Sequence, residues 1–435
     1  MRIAVIGSGI SGLSAAYLLS QKHEVHLFES GKRWGGHAHT VDVREGDRSL
    51  PMDTGFLVYN RVTYPHLCGF FDHLGVETCD SDMSLSIQNH LKNLEWSGTN
   101  INTVFGQRRN LFRPSFYKMI SGILRFHKEA QQNLAESISQ KWSLEQLLKQ
   151  KKYSQEFATD YILPIGAAIW STPERKMLDY PAETFLQFFI NHKLLQVNDR
   201  PVWRTVRGGS RQYVNKVISR LSHCHLDSAV NEVAFDGDSI RLVTRGEILK
   251  FDKVVMACHA PQTRKILKNP DPKMLEVLSA FETQENRAFL HRDLRFMPRR
   301  KKLWSAWNVQ SRLSGTGSQT EKVSLPPQNK VTLTYYLNKL QPLDTRQDYF
   351  VTLNSDRPVE AEIDISYAHP IFDRAAIEAQ RKIPSIQGLN GVYLAGAWTR
   401  YGFHEDGILS AVRVGRALGI EPPWTPQYLG DYYEE

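Results

Sequence analysis

The sequence predicts an α/β fold, a doubly wound domain interrupted by an interwoven α+β substrate domain, and three observations carry that prediction. Arg2–Ile6 is a short apolar run that breaks at Gly7-Ser8-Gly9-Ile10-Ser11-Gly12. Leu13, Ala16, Tyr17 and Leu19 then supply an apolar face at roughly helical spacing, and Val25-His26-Leu27-Phe28 returns to strand character before Glu29. Far downstream, Gly391–Gly407 again reads as a strand and glycine-rich turn, followed by the helical run Ile408–Gly415.

Strand, glycines, helix, strand and acid, in that order, define a βαβ dinucleotide site. Gly7 allows the tight turn, Gly9 leaves room for a pyrophosphate at the helix N-terminus, and Gly12 permits close helix–strand packing. Glu29 is placed to accept hydrogen bonds from an adenosine ribose. The following segment, Glu29-Ser30-Gly31-Lys32-Arg33-Trp34-Gly35-Gly36-His37, adds a cation and a second flexible turn. Two phosphates and an extended cofactor give that arrangement a use, which favours FAD over NAD. An acid-x-x-x-Arg-x-Gly-Gly segment after the first motif resembles the flavin-containing amine oxidoreductase superfamily. The resemblance implies that Arg33 lies beside the pyrophosphate and that Gly35 and Gly36 approach the flavin.

Composition sets the outer limits. A chain of 435 residues, 11% aromatic, holds a substantial core and two interwoven domains. Its formal charge of +8 suits an anionic phospholipid surface or an acidic partner without identifying either. Cys68, Cys79, Cys224 and Cys258 have no metal-ligand spacing and read as reduced thiols. Neither a metal nor a nucleic-acid partner is expected. No apolar run reaches transmembrane length, and the N-terminal strand enters the glycine motif without a signal-type leader. The expectation is a cytoplasmic enzyme that touches a membrane transiently.

Along the chain, 41–44 and 48–52 read as short strands or a hairpin around Gly46-Asp47. Tyr59 follows a small-residue turn and is a candidate for contact with a flat ring as much as for core packing. Tyr64 to Gly75 reads as a helix burying Leu67, Phe70, Phe71 and Leu74. Pro114 opens a helix through Glu129 with a broad apolar side flanked by Lys118, Arg125 and Lys128. Further helices are expected over 143–149 and 154–160, an apolar bend over 161–170, and a helix from Ala182 to His192. His192 is a candidate polar group in a substrate pocket. The Arg200–Tyr213 stretch combines an aromatic, cations and the Gly208-Gly209 turn before a helix at Val214–Leu221. By the resemblance, His225–Val230 runs past the adenine and Val230 contributes a backbone contact. Strands are read at 241–243, 251–258 and 331–340, a basic rim at Arg299-Arg300-Lys301-Lys302, and an excursion from Gly315 to Ser324.

The C-terminal turn Gly402-Phe403-His404-Glu405-Asp406-Gly407 is expected to point the amides of a helix beginning at Gly407 toward an anionic flavin edge. It resembles the final FAD-binding turn of the same superfamily, which brings Gly396, Asp406 and Gly407 into the cofactor set. Pro164–Ser171, Asn191–Leu195, Gly208–Arg211, His291–Asp293, Trp304–Asn308 and Gly402–Gly407 resemble a narrower group, the FAD oxidoreductases associated with cyclopropane fatty-acid synthases. That resemblance implies oxidation, desaturation or isomerisation of a hydrophobic acyl lipid, with a lipid-modifying enzyme as a partner. His404 is the candidate general base, with Glu405 or Asp406 orienting it or binding the cofactor edge. Tyr59 and Trp398 would shape the ring-facing cavity, and Tyr401 is a third substrate candidate. Amine oxidases of the superfamily cage their substrate between two aromatics; Tyr401 has no assignable second member. The alternatives are a flavin amine oxidase and a non-catalytic, FAD-stabilised lipid-binding protein. The expected FAD domain comprises 1–80, 205–285 and 388–420, the substrate domain 81–204 and 286–387, and a tail 421–435.

Overall fold

The computed structural model describes residues 1–170, 174–196, 200–313, 329–355 and 359–427. The 315–324 excursion, Ser171 and residues 428–435 of the expected tail lie outside the described residues. The chain divides into two units, Met1–Asp80 with Arg204–Gln284 and Pro370–Glu435, and Ser81–Trp203 with Glu285–His369.

The first unit is built on a five-stranded parallel sheet in the order His223–His225, β2 (Glu24–Phe28), β1 (Arg2–Ile6), Lys253–Met256, Val392–Leu394. Strands covered on both faces can be continuously apolar, and Ile3, Ala4, Val5, Leu27, Val254 and Val255 are accordingly buried. Helix α1 (Ile10–Leu19) is buried at every position. The C-terminal helix His404–Ala417 packs against α1, and Gly407 and Gly415 permit the approach: a Cβ at either would lie within 2.6 Å of an Ile10 or Leu18 methyl. A four-stranded sheet, Glu247–Phe251, Ser239–Thr244, Val230–Asp236 and Leu267–Lys268, and the antiparallel hairpin Thr40–Glu45/Arg48–Asp53 also belong to this unit.

This unit takes more of the C-terminal region than the expected 388–420. Ala376, Ala379, Ile383 and Ile386 share one buried cluster with Val254, Val392 and Leu394, so residues from 370 onward belong to its core. The start of the expected tail is likewise packed: the Trp424 ring lies 4.8 Å from Phe70, and Gln427 N–H donates to Pro65 O.

The second unit carries a seven-stranded mixed sheet ordered Ala361–Pro370, Thr283–His291, Phe350–Leu353, Asn329–Tyr336, Trp307–Leu313, Leu85–Asn89, Leu94–Ser97. Its longest helix, Pro114–Gln140, opens on the expected proline but runs 27 residues. The expected apolar bend over 161–170 is instead helical, Leu163–Trp170, continuing a π-turn at Ala158–Ile162. Pro164 falls where the π-turn passes into the α-helix, an irregularity of the hydrogen-bond ladder that accommodates a residue without an N–H. The strand expected over 331–340 ends at Tyr336 and passes into a helical turn, Leu337–Leu340.

Candidate functional site

The glycine-rich turn after β1 presents the N-terminus of α1. Gly7 has φ +105° and donates its N–H to Phe28 O at 2.8 Å. A Cβ on Gly12 would fall 1.7 Å from Gly7 O, so this glycine holds helix and turn together. Gly9 differs from both. It is the N-cap of α1 with φ −65°, and a Cβ there would meet nothing within 4 Å. The α1 N-terminus has no side-chain cap and no acid in its first turn. Open space before uncapped amides is the cradle that a dinucleotide phosphate requires.

Glu29 ends β2 with its carboxylate fixed. Oε2 accepts from Ser8 N at 3.0 Å and Ser8 Oγ at 2.6 Å, while Oε1 accepts from Gly31 N at 2.8 Å. Ser8 also ties in the second glycine turn, since Gly35 N donates to Ser8 O at 3.1 Å. Gly35 and Gly36 adopt φ +108° and +57°, and a Cβ on Gly36 would lie 3.0 Å from Gly9 Cα. Arg33 closes this turn by donating to Gly36 O at 2.7 Å. Its positive charge is thereby held beside the α1 N-terminus. Ser8 was missed in the sequence because it occupies an unconstrained position of the glycine motif.

The expected run His225–Val230 is broken in the structure. The strand stops at His225, Asp227 takes φ +52°, and a new strand begins at Val230. Ser228 N and Asp227 N donate to Glu29 O and Gly31 O, so this turn follows the end of β2. Val230 itself is buried and precedes a register shift against Thr244 and Val243.

The C-terminal turn also departs from expectation. Its helix begins at His404, and Gly407 N–H already bonds Phe403 O. The amides left for an anion are those of the first turn, and Gly407 serves the packing on α1. Asp406 caps its own helix, accepting from Phe403 N at 2.9 Å; burial raises its carboxyl to about 6 despite Arg400. Glu405 does something the sequence did not reveal. Its two oxygens accept from His66 N at 3.0 Å and Leu67 N at 2.9 Å, capping helix α2 (Pro65–Leu74) from 338 residues away. Neither acid bonds His404. That ring stacks on Phe56, centroids 3.7 Å apart, and its Nε2 lies 3.2 Å from Tyr213 OH. Burial depresses His404 to about 3, and it pushes the Tyr213 hydroxyl upward. Phe56, His404 and Tyr213 therefore form a wall that is uncharged at neutral pH.

The substrate candidates separate. Tyr59 is buried, edge-on to Phe71 at 5.4 Å and to Tyr64 at 6.1 Å. Trp398 is a core residue and not a cavity wall. Its Nε1 donates to Cys258 O at 3.1 Å, its ring packs on Phe281 at 4.6 Å, and the indole lies where a Cβ on Gly396 would sit. Tyr401 is half-buried beneath the Arg400 guanidinium, 5.2 Å from its ring centre. His192 belongs to the second unit. It closes the helix Ala182–Asn191, stacked on Phe188 at 3.9 Å with Nδ1 donating to Phe188 O. Burial raises the Cys258 thiol to about 11, which disfavours the thiolate that a nucleophile needs.

A second polar knot fixes the Gly208-Gly209 turn. Buried Asp53 accepts from Ser210 N, Ser210 Oγ and Thr40 Oγ1 at 2.6–3.0 Å, and burial raises its carboxyl. Glu24, His26 and His223 also bring potential metal-ligating atoms within 4.8 Å of one another. The His26 and His223 rings are parallel within 5° at 4.3 Å, however, so their in-plane lone pairs do not converge on one ion. His26 instead bonds Glu24 at 2.9 Å and His225 at 3.1 Å.

A parallel sheet, an open glycine turn and an oriented ribose-type acid define a dinucleotide-binding unit. A family model, flavin containing amine oxidoreductase, matches residues 10–336, and the chain belongs to that family. It is therefore an FAD-dependent oxidoreductase. Among solved structures, it is similar to a fatty acid isomerase from P. acnes that produces CLA (TM-score 0.66, 13% identity, 95% of this chain and 98% of that one). Putrescine oxidase bound to putrescine gives TM-score 0.67 at 14% identity, covering 96% and 99%. Cyclohexylamine oxidase from Brevibacterium oxydans IH-35A gives 0.65 at 14%, again covering 96% and 99%. At such identities the likeness speaks to the fold. No curated protein matches the sequence.

Proposed function

We propose that this enzyme removes a hydride equivalent from carbon in a small uncharged organic substrate, an amine in its free-base form. The single observation that carries the reading is the neutral wall of Phe56, His404 and Tyr213. With His404 held to about 3, only on the order of one ring in ten thousand is protonated at pH 7. A general base works best with a pKa near the operating pH, so His404 suits positioning and hydrogen bonding better than proton storage. Hydride loss from a free-base amine needs no protein base, which agrees with that environment.

Bound FAD supplies the two-electron acceptor. Gly7, Gly9 and Gly12 with the α1 amides would hold its pyrophosphate, and Glu29 its ribose. Arg33, Gly35, Gly36, Val230, Gly396 and Asp406 complete the proposed cofactor set, with Ser8 orienting Glu29 and Gly407 seating the C-terminal helix on α1. Phe56, Tyr401 and His404 are the proposed substrate-side groups. A second reading, oxidation, desaturation or isomerisation of an acyl lipid, draws support from the resemblance to cyclopropane fatty-acid synthase-associated oxidoreductases. The shared fold with a fatty acid isomerase also favours it. A cytoplasmic setting and a lipid-modifying partner belong with that reading.

An anaerobic screen separates the two. Amines, unsaturated and cyclopropane-containing phospholipids, and their free fatty acids are mixed with oxidised enzyme while flavin bleaching and product mass are followed. Amine-specific bleaching is expected, with an imine-derived carbonyl product. Lipid-specific turnover would replace the amine reading, and bleaching by neither class would overturn both.

A further inference from the structure

The second unit carries a surface whose composition the oxidoreductase chemistry does not use. Residues 101–128 contain Arg108, Arg109, Arg113, Lys118, Arg125 and Lys128 and no Asp or Glu. The same stretch exposes large apolar side chains. Ile101 is 80% and Phe112 87% exposed, with Leu111, Tyr117 and Leu124 also exposed. Single exposed apolar residues are ordinary; five within 24 positions of a stretch that has no acid of its own are not, although Arg125 pairs with Glu129 just beyond it at 3.5 Å.

Internal contacts hold these residues in one patch. Tyr117 OH donates to Leu111 O at 2.9 Å, and its ring lies 6.1 Å from Phe105. Arg108 donates to Asn102 Oδ1 at 2.7 Å, joining the turn of Phe112 to the short helix of Ile101. Partial burial, and next to it like-charge proximity to Arg109, lower the Arg113 pKa. The basic tract Arg299–Lys302 adjoins the patch. Leu303 packs where a Cβ on Gly106 would sit, and Arg300 pairs with Glu95, whose carbonyl accepts from Asn110.

We propose that this patch is a docking surface for an anionic lipid bilayer, with Ile101 and Phe112 entering the headgroup boundary and the cations meeting lipid phosphates. Charge complementarity selects an anionic partner. The protruding apolar tips select a bilayer over a nucleic acid, because a phosphate backbone would neutralise the cations and leave Phe112 in water. No described helix is long and apolar enough to cross a membrane, so the attachment is peripheral. This surface goes beyond the substrate reading and holds for amine and acyl substrates alike.

The test is co-sedimentation of the holoenzyme with phosphatidylcholine vesicles, with and without phosphatidylglycerol, over a sodium chloride series. Binding is expected only to the anionic vesicles and should weaken with salt. Arg108→Glu/Arg109→Glu should weaken it about 25-fold or more, from roughly fivefold per cation removed. Ile101→Asp/Phe112→Asp should also lose binding, while Phe235→Asp, an exposed apolar site of the first unit, should not. Unchanged flavin absorbance and melting temperature show that each variant is folded. Equal binding to both vesicles, no binding to either, or anionic binding untouched by the Ile101/Phe112 pair would overturn the proposal. Tighter binding to duplex DNA than to vesicles, again indifferent to that pair, would also overturn it.

Discussion

His404 and Asp406 stand two residues apart with opposite proton linkage. His404 falls from 6.5 to about 3 on folding, so between those values the unfolded chain holds the extra proton. Its share of stability is complete above pH 6.5 and is lost as pH falls toward 3. Asp406 rises from 3.8 to about 6, so there the folded chain holds the extra proton, and stability is lost as pH rises through 6. Between about pH 4 and 6 the two slopes oppose each other. His404→Gln should therefore flatten the acid-side loss of stability, read as urea midpoints from pH 4 to 7; a variant that tracks the parent across this range contradicts the burial argument. In the anaerobic reductive phase the same substitution should cost less than about tenfold, against the ~10²–10⁴-fold expected from removing a general base. At Gly12 a Cβ meets the Gly7 carbonyl, and Gly12→Ala should cost ~3 kcal/mol of stability. Gly9→Val meets no protein atom at Cβ, so the fold should survive while flavin occupancy falls.

At the scale of elements, α2 is the instructive case. Its apolar face over Leu67, Phe70, Phe71 and Leu74 made the helix legible, and Pro65 supplied its first position. Its cap was not legible, because the acceptor for the His66 and Leu67 amides is Glu405. Glu405→Ala should leave two buried N–H groups without an acceptor and lower stability by about 2–3 kcal/mol, measured by denaturant unfolding. An unchanged midpoint would mean that water replaces the carboxylate. The helix from Pro114 shows a second kind of blindness. Its end at Gln140 was missed because the buried face beyond Glu129 consists of Ala130, Asn133, Leu134 and Ser137, small or polar at three positions of four. Hydrophobic periodicity fades there although burial does not; the Asn133 amide N–H donates to Tyr153 OH at 3.1 Å.

On the scale of the whole molecule, what was readable was what is local. The glycines, Glu29 and Arg33 fall within 27 residues, and the turn chemistry that joins them leaves a mark in sequence. Phe56, Tyr213 and His404 come from three separate segments, as do Thr40, Asp53 and Ser210, and pairs 157 or 191 residues apart leave no periodic signal. The same limit explains the domain boundary. Residues 370–387 carry no nucleotide motif, yet Ala376 and Ile383 belong to the core of the first unit. Trp398 illustrates the converse: beside a recognisable glycine turn it read as a cavity wall, whereas its indole N–H is spent on the Cys258 carbonyl.

The central claim is that the first unit is an FAD cradle serving an oxidoreductase. It is tested most directly by purifying the protein without added cofactor, denaturing it, and weighing and quantifying the released chromophore by mass spectrometry. FAD at about one per chain is expected in the parent, with a marked loss in Gly9→Val at unchanged secondary structure. Stoichiometric NAD, or full FAD occupancy in Gly9→Val, would contradict it.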